Sequence, residues 1–137
     1  MKSNIIISVL LIAGVILISN QGCKKDDSPD TIDFIIKVDS ISHADTIFST
    51  DLFEVDFYGK IGDNECFTFS SFLPAFGADF INVTVYGTET IRNDCAGGPV
   101  YLDGKGASFS EMTPGEWTLN VLQPAGIAPI VSKVYVK

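Results

Sequence analysis

Histidine, arginine and tryptophan each occur once in the 137 residues, and cysteine three times. Each scarcity removes a class of chemistry. A serine or cysteine nucleophile is normally activated by a neighbouring base, most often histidine. The sole His43 stands in Ser42-His43-Ala44 between two expected strands, with no Gly-x-Ser-x-Gly elbow in the chain, and reads as a solvent-facing turn residue. Zinc sites need clustered thiolates and imidazoles, and there is neither a Cys-x-x-Cys pair nor a second histidine. Asp63-Asn64-Glu65 and Asn93-Asp94 offer hard oxygens for calcium, without EF-hand spacing, and read as polar turns. Glu54 and Asp56 read as the wet face of one strand rather than a glycosidase pair. Gly97-Gly98-Pro99 and Gly104-Lys105-Gly106 lack the strand-to-helix context of a phosphate loop. Nine Lys and Arg against seventeen Asp and Glu give a formal charge of −8, so no basic stripe exists to engage nucleic acid. No catalytic residue, metal or cofactor is expected.

Sustained 3.6-residue apolar periodicity is also missing after residue 23, which predicts very little helix. Alternation takes its place. Ile32, Phe34, Ile36 and Val38 alternate with Asp33, Ile35, Lys37 and Asp39, and Phe53, Val55 and Phe57 alternate with Glu54, Asp56 and Tyr58, the two-residue period of half-buried strands. After the Gly62-Asp63-Asn64 turn, a strand from Glu65 to Phe72 would place Phe67 and Phe69 on one face and Cys66, Thr68, Ser70 and Phe72 on the other. Phe80 to Tyr86 sets Ile81, Val83 and Val85 against Phe80, Asn82, Thr84 and Tyr86. Asp103-Gly104, between Val100–Leu102 and Ala107–Phe109, is a pair that favours a tight hairpin. Trp117, Leu119 and Val121 alternate beyond Pro114-Gly115, and Pro124-Ala125-Gly126 turns the chain into Ile130 to Val136 as a closing hairpin. Seven or eight strands at this spacing predict an all-β domain over residues 31–137, an antiparallel Greek-key β-sandwich, with a small closed barrel as the second architecture. The stretch from Pro114 to Lys137 resembles the last two strands of bacterial immunoglobulin-like modules, which implies an immunoglobulin-like sandwich.

The one long apolar run is N-terminal. Ile5 to Ile18 carries no charge and follows Lys2; its 14 residues fall short of the roughly 20 a spanning helix needs, and fit the core of a signal peptide. Ser19, Asn20, Gln21, Gly22 and Cys23 follow. Here Gly22 and Cys23 resemble the cleavage site of bacterial lipoprotein precursors, although Asn20 stands where that family prefers Leu. The resemblance implies removal of residues 1–22, lipid on Cys23 and a membrane partner. A multiply acylated cysteine makes a lasting anchor where one chain does not. Residues 23–30 hold charge and proline with nothing to bury and read as a tether. Within it, Asp26 and Asp27 look like the export signal of Bacteroidetes-type lipoproteins, which implies the outer membrane, lipid-anchored and facing the exterior. Asp30-Thr31-Ile32, Asp39-Ser40-Ile41 and Asp45-Thr46-Ile47 are similar to O-glycosylation acceptors of the same lineage.

With Cys23 assigned to lipid, Cys66 and Cys95 remain as a pair, and an oxidising compartment favours a disulfide between them. The bridge would pin the turn-rich segment 88–98 against the strand beginning near Glu65 and contribute roughly 3 to 4 kcal/mol. Aromatics make up 11% of the chain and should mostly be core. Phe72-Leu73-Pro74-Ala75-Phe76-Gly77 stands out as an apolar predicted loop. Phe72, Leu73, Phe76, Asn93 and Asp94 are therefore the candidate binding residues, on loops 72–79 and 88–98. The expected function is a non-enzymatic, lipid-anchored envelope module that binds a glycan or a protein. The second expectation is a small enzyme inhibitor presenting the disulfide-pinned loop.

Overall fold

The structure is a computed structural model that describes residues 29–137. Among the described residues there is no helix, and the strands are β1 (Thr31–Ile35), β2 (Ser40–His43), β3 (Thr46–Ile47), β4 (Phe53–Tyr58), β5 (Lys60–Gly62), β6 (Phe67–Phe76), β7 (Phe80–Thr90), β8 (Val100–Tyr101), β9 (Lys105–Phe109), β10 (Gly115–Leu122) and β11 (Ile130–Val136). The eleven strands exceed the seven or eight expected because β2 and β3 fall in residues 40–47, where none was expected, and because a kink adds β5 to β4. Gly59 alone separates β4 from β5. A Cβ at Gly59 would lie 2.5 Å from the Lys37 carbonyl oxygen, so only glycine lets residues 37–39 cross there.

The largest sheet is mixed rather than antiparallel throughout, which corrects the expectation. Its centre is β7. One edge of β7 pairs with β6 along its length; the other is shared by β1, antiparallel from Thr31↔Thr90 to Ile35↔Tyr86, and β10, parallel from Thr118↔Phe80 to Leu122↔Thr84. The expected closing hairpin of β10 and β11 forms, and β3 joins β11 in parallel. β7 and β10 run the same way because the chain visits the other layer, through β8 and β9, between them. That layer contains β2-β4-β9 and β5-β8.

Alternation positions the core as read. Phe53, Val55 and Phe57 of β4 are buried while Glu54, Asp56 and Tyr58 are exposed. They meet Ile81, Val83 and Val85 of β7, Leu119 and Val121 of β10, and Val134 and Val136 of β11 in one cluster. Each such side chain stabilises the fold by about 1.5–3 kcal/mol on full burial.

Two local expectations are corrected. Asp103-Gly104 does adopt a tight turn, with φ of 47° and 75° and Lys105 N–H donating to Leu102 C=O at 3.0 Å. It makes no hairpin, because β8 and β9 both run antiparallel to the β4–β5 segment instead of to each other. In β6 the register passes from Phe69↔Gly87 to Ser71↔Tyr86, leaving Ser70 as an extra residue. Such a bulge reverses which face later side chains occupy. Phe72 therefore joins Phe67 and Phe69 on the inner face, opposite Val85, instead of sharing a face with Thr68.

The chain changes layer between β1 and β2, and a side chain guards the crossing. Val38 N–H donates to Gln123 Oε1 at 3.1 Å, and Gln123 Nε2 donates to Val38 C=O at 3.0 Å. A single amide at the end of β10 thus satisfies backbone groups that have left their ladder.

Candidate functional site

The segment expected as an apolar loop is strand: β6 runs without interruption to Phe76, leaving only residues 77–79 as a turn into β7. The bulge at Ser70 decides what its side chains do. Phe72, Pro74 and Phe76 stand opposite Val85, Val83 and Ile81, on the inner face. Phe72 is half-buried, its ring 4.8 Å from those of Phe57 and Phe69. Farther along, the sheets part. Phe76 is 55% exposed although it points inward, its ring set edgewise 6.0 Å from Phe109.

The parting forms a cleft of about 650 Å³ between β6 and β9, within the range of small-ligand sites. Phe72, Pro74 and Phe76 form one wall, Ala107 to Glu111 the other, and Gly77 and Trp117 the end. Trp117 is buried, and its indole N–H is used internally, donating to Thr113 C=O at 2.9 Å. The polar groups left to a ligand are the backbone of Ala107 to Glu111 and the exposed Ser110 and Glu111 side chains that follow β9. Glu111 has φ of 61°. A left-handed non-glycine residue costs on the order of 1 kcal/mol or more, and such conformations gather at functional positions.

Leu73 faces the other way. It is exposed on the outer face, beside a shallow hollow with Asp33, Ser70, Ser71 and Tyr86. Asn93 and Asp94 lie beyond β7 in residues 91–99, at the Thr90 end, whereas Phe76 lies opposite Ile81 near the other end. The eleven residues of β7 span about 33 Å. The candidate residues thus divide: Phe72 and Phe76 share the cleft, Leu73 is on another face, and Asn93 and Asp94 are at the opposite pole.

The N-terminal end of the described residues joins that opposite pole. Thr31 pairs with Thr90, and Ile91 N–H donates to Asp30 C=O at 2.8 Å. Cys23, and residues 1–22 expected to be a signal peptide, lie outside the described residues. The cleft end instead carries segment 48–52, with Phe48 and Leu52 exposed; Ser49 N–H donates to Lys137 C=O at 2.9 Å.

Cys66 and Cys95 are joined, and the loop after β7 is drawn down onto the start of β6. Arg92 organises this corner. Its Nε–H donates to Cys66 Sγ at 3.0 Å, and its guanidinium pairs with Glu65 at 3.3 Å and Asp94 at 3.6 Å. Glu65 also accepts from Ala96 N–H at 3.4 Å, and Asn64 Oδ1 accepts from Cys66 N–H at 3.0 Å. Asp63 pairs with Lys60, whose ammonium it holds above its usual value through a hydrogen bond. Of the oxygens weighed for calcium, those of Asp63, Asn64, Glu65 and Asp94 are thus engaged by the chain's own donors.

His43 is not the solvent-facing turn residue expected. It ends β2, half-buried, with its ring edgewise 5.2 Å from Phe53. Nδ1–H donates to Ala44 C=O at 2.9 Å, leaving Nε2 to accept from the Ser132 hydroxyl at 2.7 Å. This Ser–His pair lines neither the cleft nor the hollow and ties β2 to β11 across the two layers. Thr31, Ser40 and Thr46, the hydroxyl residues of the three acceptor-like tripeptides, are each exposed as the first residue of a strand.

Sequence reasoning reached Phe72 and Phe76 but missed Ser108, Ser110 and Glu111. Nothing in Ser110-Glu111-Met112-Thr113 announces a left-handed residue, since the usual signals are Gly and Asn. The chain matches no protein-family model, no curated protein and no solved structure, so its function has to be read from the cleft itself.

Proposed function

We propose that this chain is a non-enzymatic, lipid-anchored, immunoglobulin-like binding module of the cell envelope, held on the outer membrane and facing the exterior. Its ligand occupies the cleft between β6 and β9. One observation carries the reading: an aromatic cleft with free polar groups opens at the end of the domain opposite the tether. A module anchored through residues 23–30 would hold that cleft away from the membrane. The immunoglobulin-like sandwich is supported by one core shared between two layers and by the β10–β11 hairpin. The disulfide-bound loop is less suited to presentation, because it is tied back onto β6 at the tether end.

Protease shaving of intact cells, comparing wild type with Cys23→Ser, tests the anchoring. Wild type should fractionate with membranes and be cleaved from outside, and Cys23→Ser should be released. Retention of Cys23→Ser in the membrane fraction would refute the lipid anchor; a protected wild type would refute surface exposure.

A further inference from the structure

We infer that the cleft takes an extended peptide, which adds as a strand to the free edge of β9; this rests on the proposed binding role. The lining pattern carries the inference. Side chains along a strand alternate between faces, so a cavity over one face touches every second residue. β6 obeys that rule with Phe72, Pro74 and Phe76, whereas the opposite wall is the unbroken run from Ala107 to Glu111. An unbroken run means that the cavity borders the backbone edge. Among the described residues that edge is free: β9 pairs with β4 alone, and the two residues after it join no strand.

An occupant therefore meets two different surfaces. From β9 it meets peptide N–H and C=O groups unpaired in any ladder, the requirement for strand addition. From β6 it meets Phe72, Pro74 and Phe76, which can receive the apolar side chains on one face of an extended chain. β6 itself is a poor competitor for the guest, because Pro74 has no N–H to offer. The usable edge is limited at its near end by Lys105, whose ammonium lies 5.0 Å from the Phe69 ring. From Ala107 to Glu111 it extends about 13 Å, room for about five residues. Charge sets the remaining preference. Glu111 is the one charged residue lining the cleft, in a chain of net charge −8, so the guest should carry a Lys or Arg opposite it.

The test begins with a random nonapeptide phage library panned on the intact protein in detergent micelles. Enriched sequences should alternate apolar residues and carry one basic residue. Synthetic copies should lose at least tenfold in affinity when alternate backbone nitrogens are methylated, and should tolerate methylation at the intervening ones. Binding should slow hydrogen exchange at Ala107 to Phe109. Phe76→Ala, at an exposed position that should leave folding intact, should weaken binding at least tenfold. Glu111→Gln should remove its salt dependence, and Leu73→Ala, on the outer face, should change nothing. Failure to enrich any peptide, or tolerance of methylation everywhere, would overturn strand addition. If neutral hexose oligosaccharides bound instead, and Phe76→Ala abolished that binding, the cleft would stand as the site and its peptide occupant would fall.

Discussion

Two residues hold conformations or contacts that cost something in one state and act in another. Glu111 is left-handed without being glycine, so Glu111→Gly should leave stability unchanged or raise it by up to about 1 kcal/mol. Urea denaturation would measure this. A residue selected for folding alone should not behave so, and the same variant should bind cleft ligands more weakly. Arg92 donates to Cys66 Sγ in the disulfide. When an attacking thiolate opens the bridge at the more exposed Cys95, the departing Cys66 thiolate is left beside a guanidinium, which favours it. Arg92→Gln should therefore slow reduction by dithiothreitol by about three- to tenfold, measured by thiol-trapping gels. An unchanged rate would mean that the Arg92–sulfur contact has no bearing on the leaving group.

At the scale of elements, a single extra residue determines the site. Were Ser70 paired in the ladder instead of bulged, Phe72, Pro74 and Phe76 would turn outward and Leu73 and Ala75 inward. Inserting one alanine after Ser70 would likewise turn Phe72, Pro74 and Phe76 outward. It should destabilise the domain by at least about 3 kcal/mol, the scale of losing a buried aromatic, with a lower thermal midpoint by circular dichroism. Deleting Ser70, by contrast, straightens the strand and keeps those side chains inward. A replacement such as Ser70→Ala, which keeps the count, should be within about 0.5 kcal/mol of wild type. The sequence pattern could not reveal the bulge, since an inserted residue is defined only by the partner strand it fails to match. β4 and β10 were legible because their alternation is uninterrupted and each buries one face. Phe72 and Phe76 were singled out as apolar residues in a supposed loop, and they matter instead as strand residues at the place where the sheets part. Asp103-Gly104 shows the limit of local signals: the turn conformation it favours is present, while the strands on either side pair elsewhere.

For the whole molecule, the pairing of Cys66 with Cys95 was legible by elimination and compartment, whereas the parallel contacts of β7 with β10 and of β11 with β3 were not, because they join segments distant in sequence. The disulfide belongs to one pole and the cleft to the other. Replacing both cysteines with alanine should cost about 3 kcal/mol in denaturation and leave affinity at the cleft within about twofold while the domain remains folded. A large loss of affinity in the folded double variant would mean that the two ends are coupled. The arrangement of β7 also has a mechanical meaning. In a chain anchored through residues 23–30 and loaded at the cleft, as proposed, a pull would be directed along the strands and across their hydrogen bonds. The ladders would then be loaded in shear, many bonds at once, rather than peeled one after another.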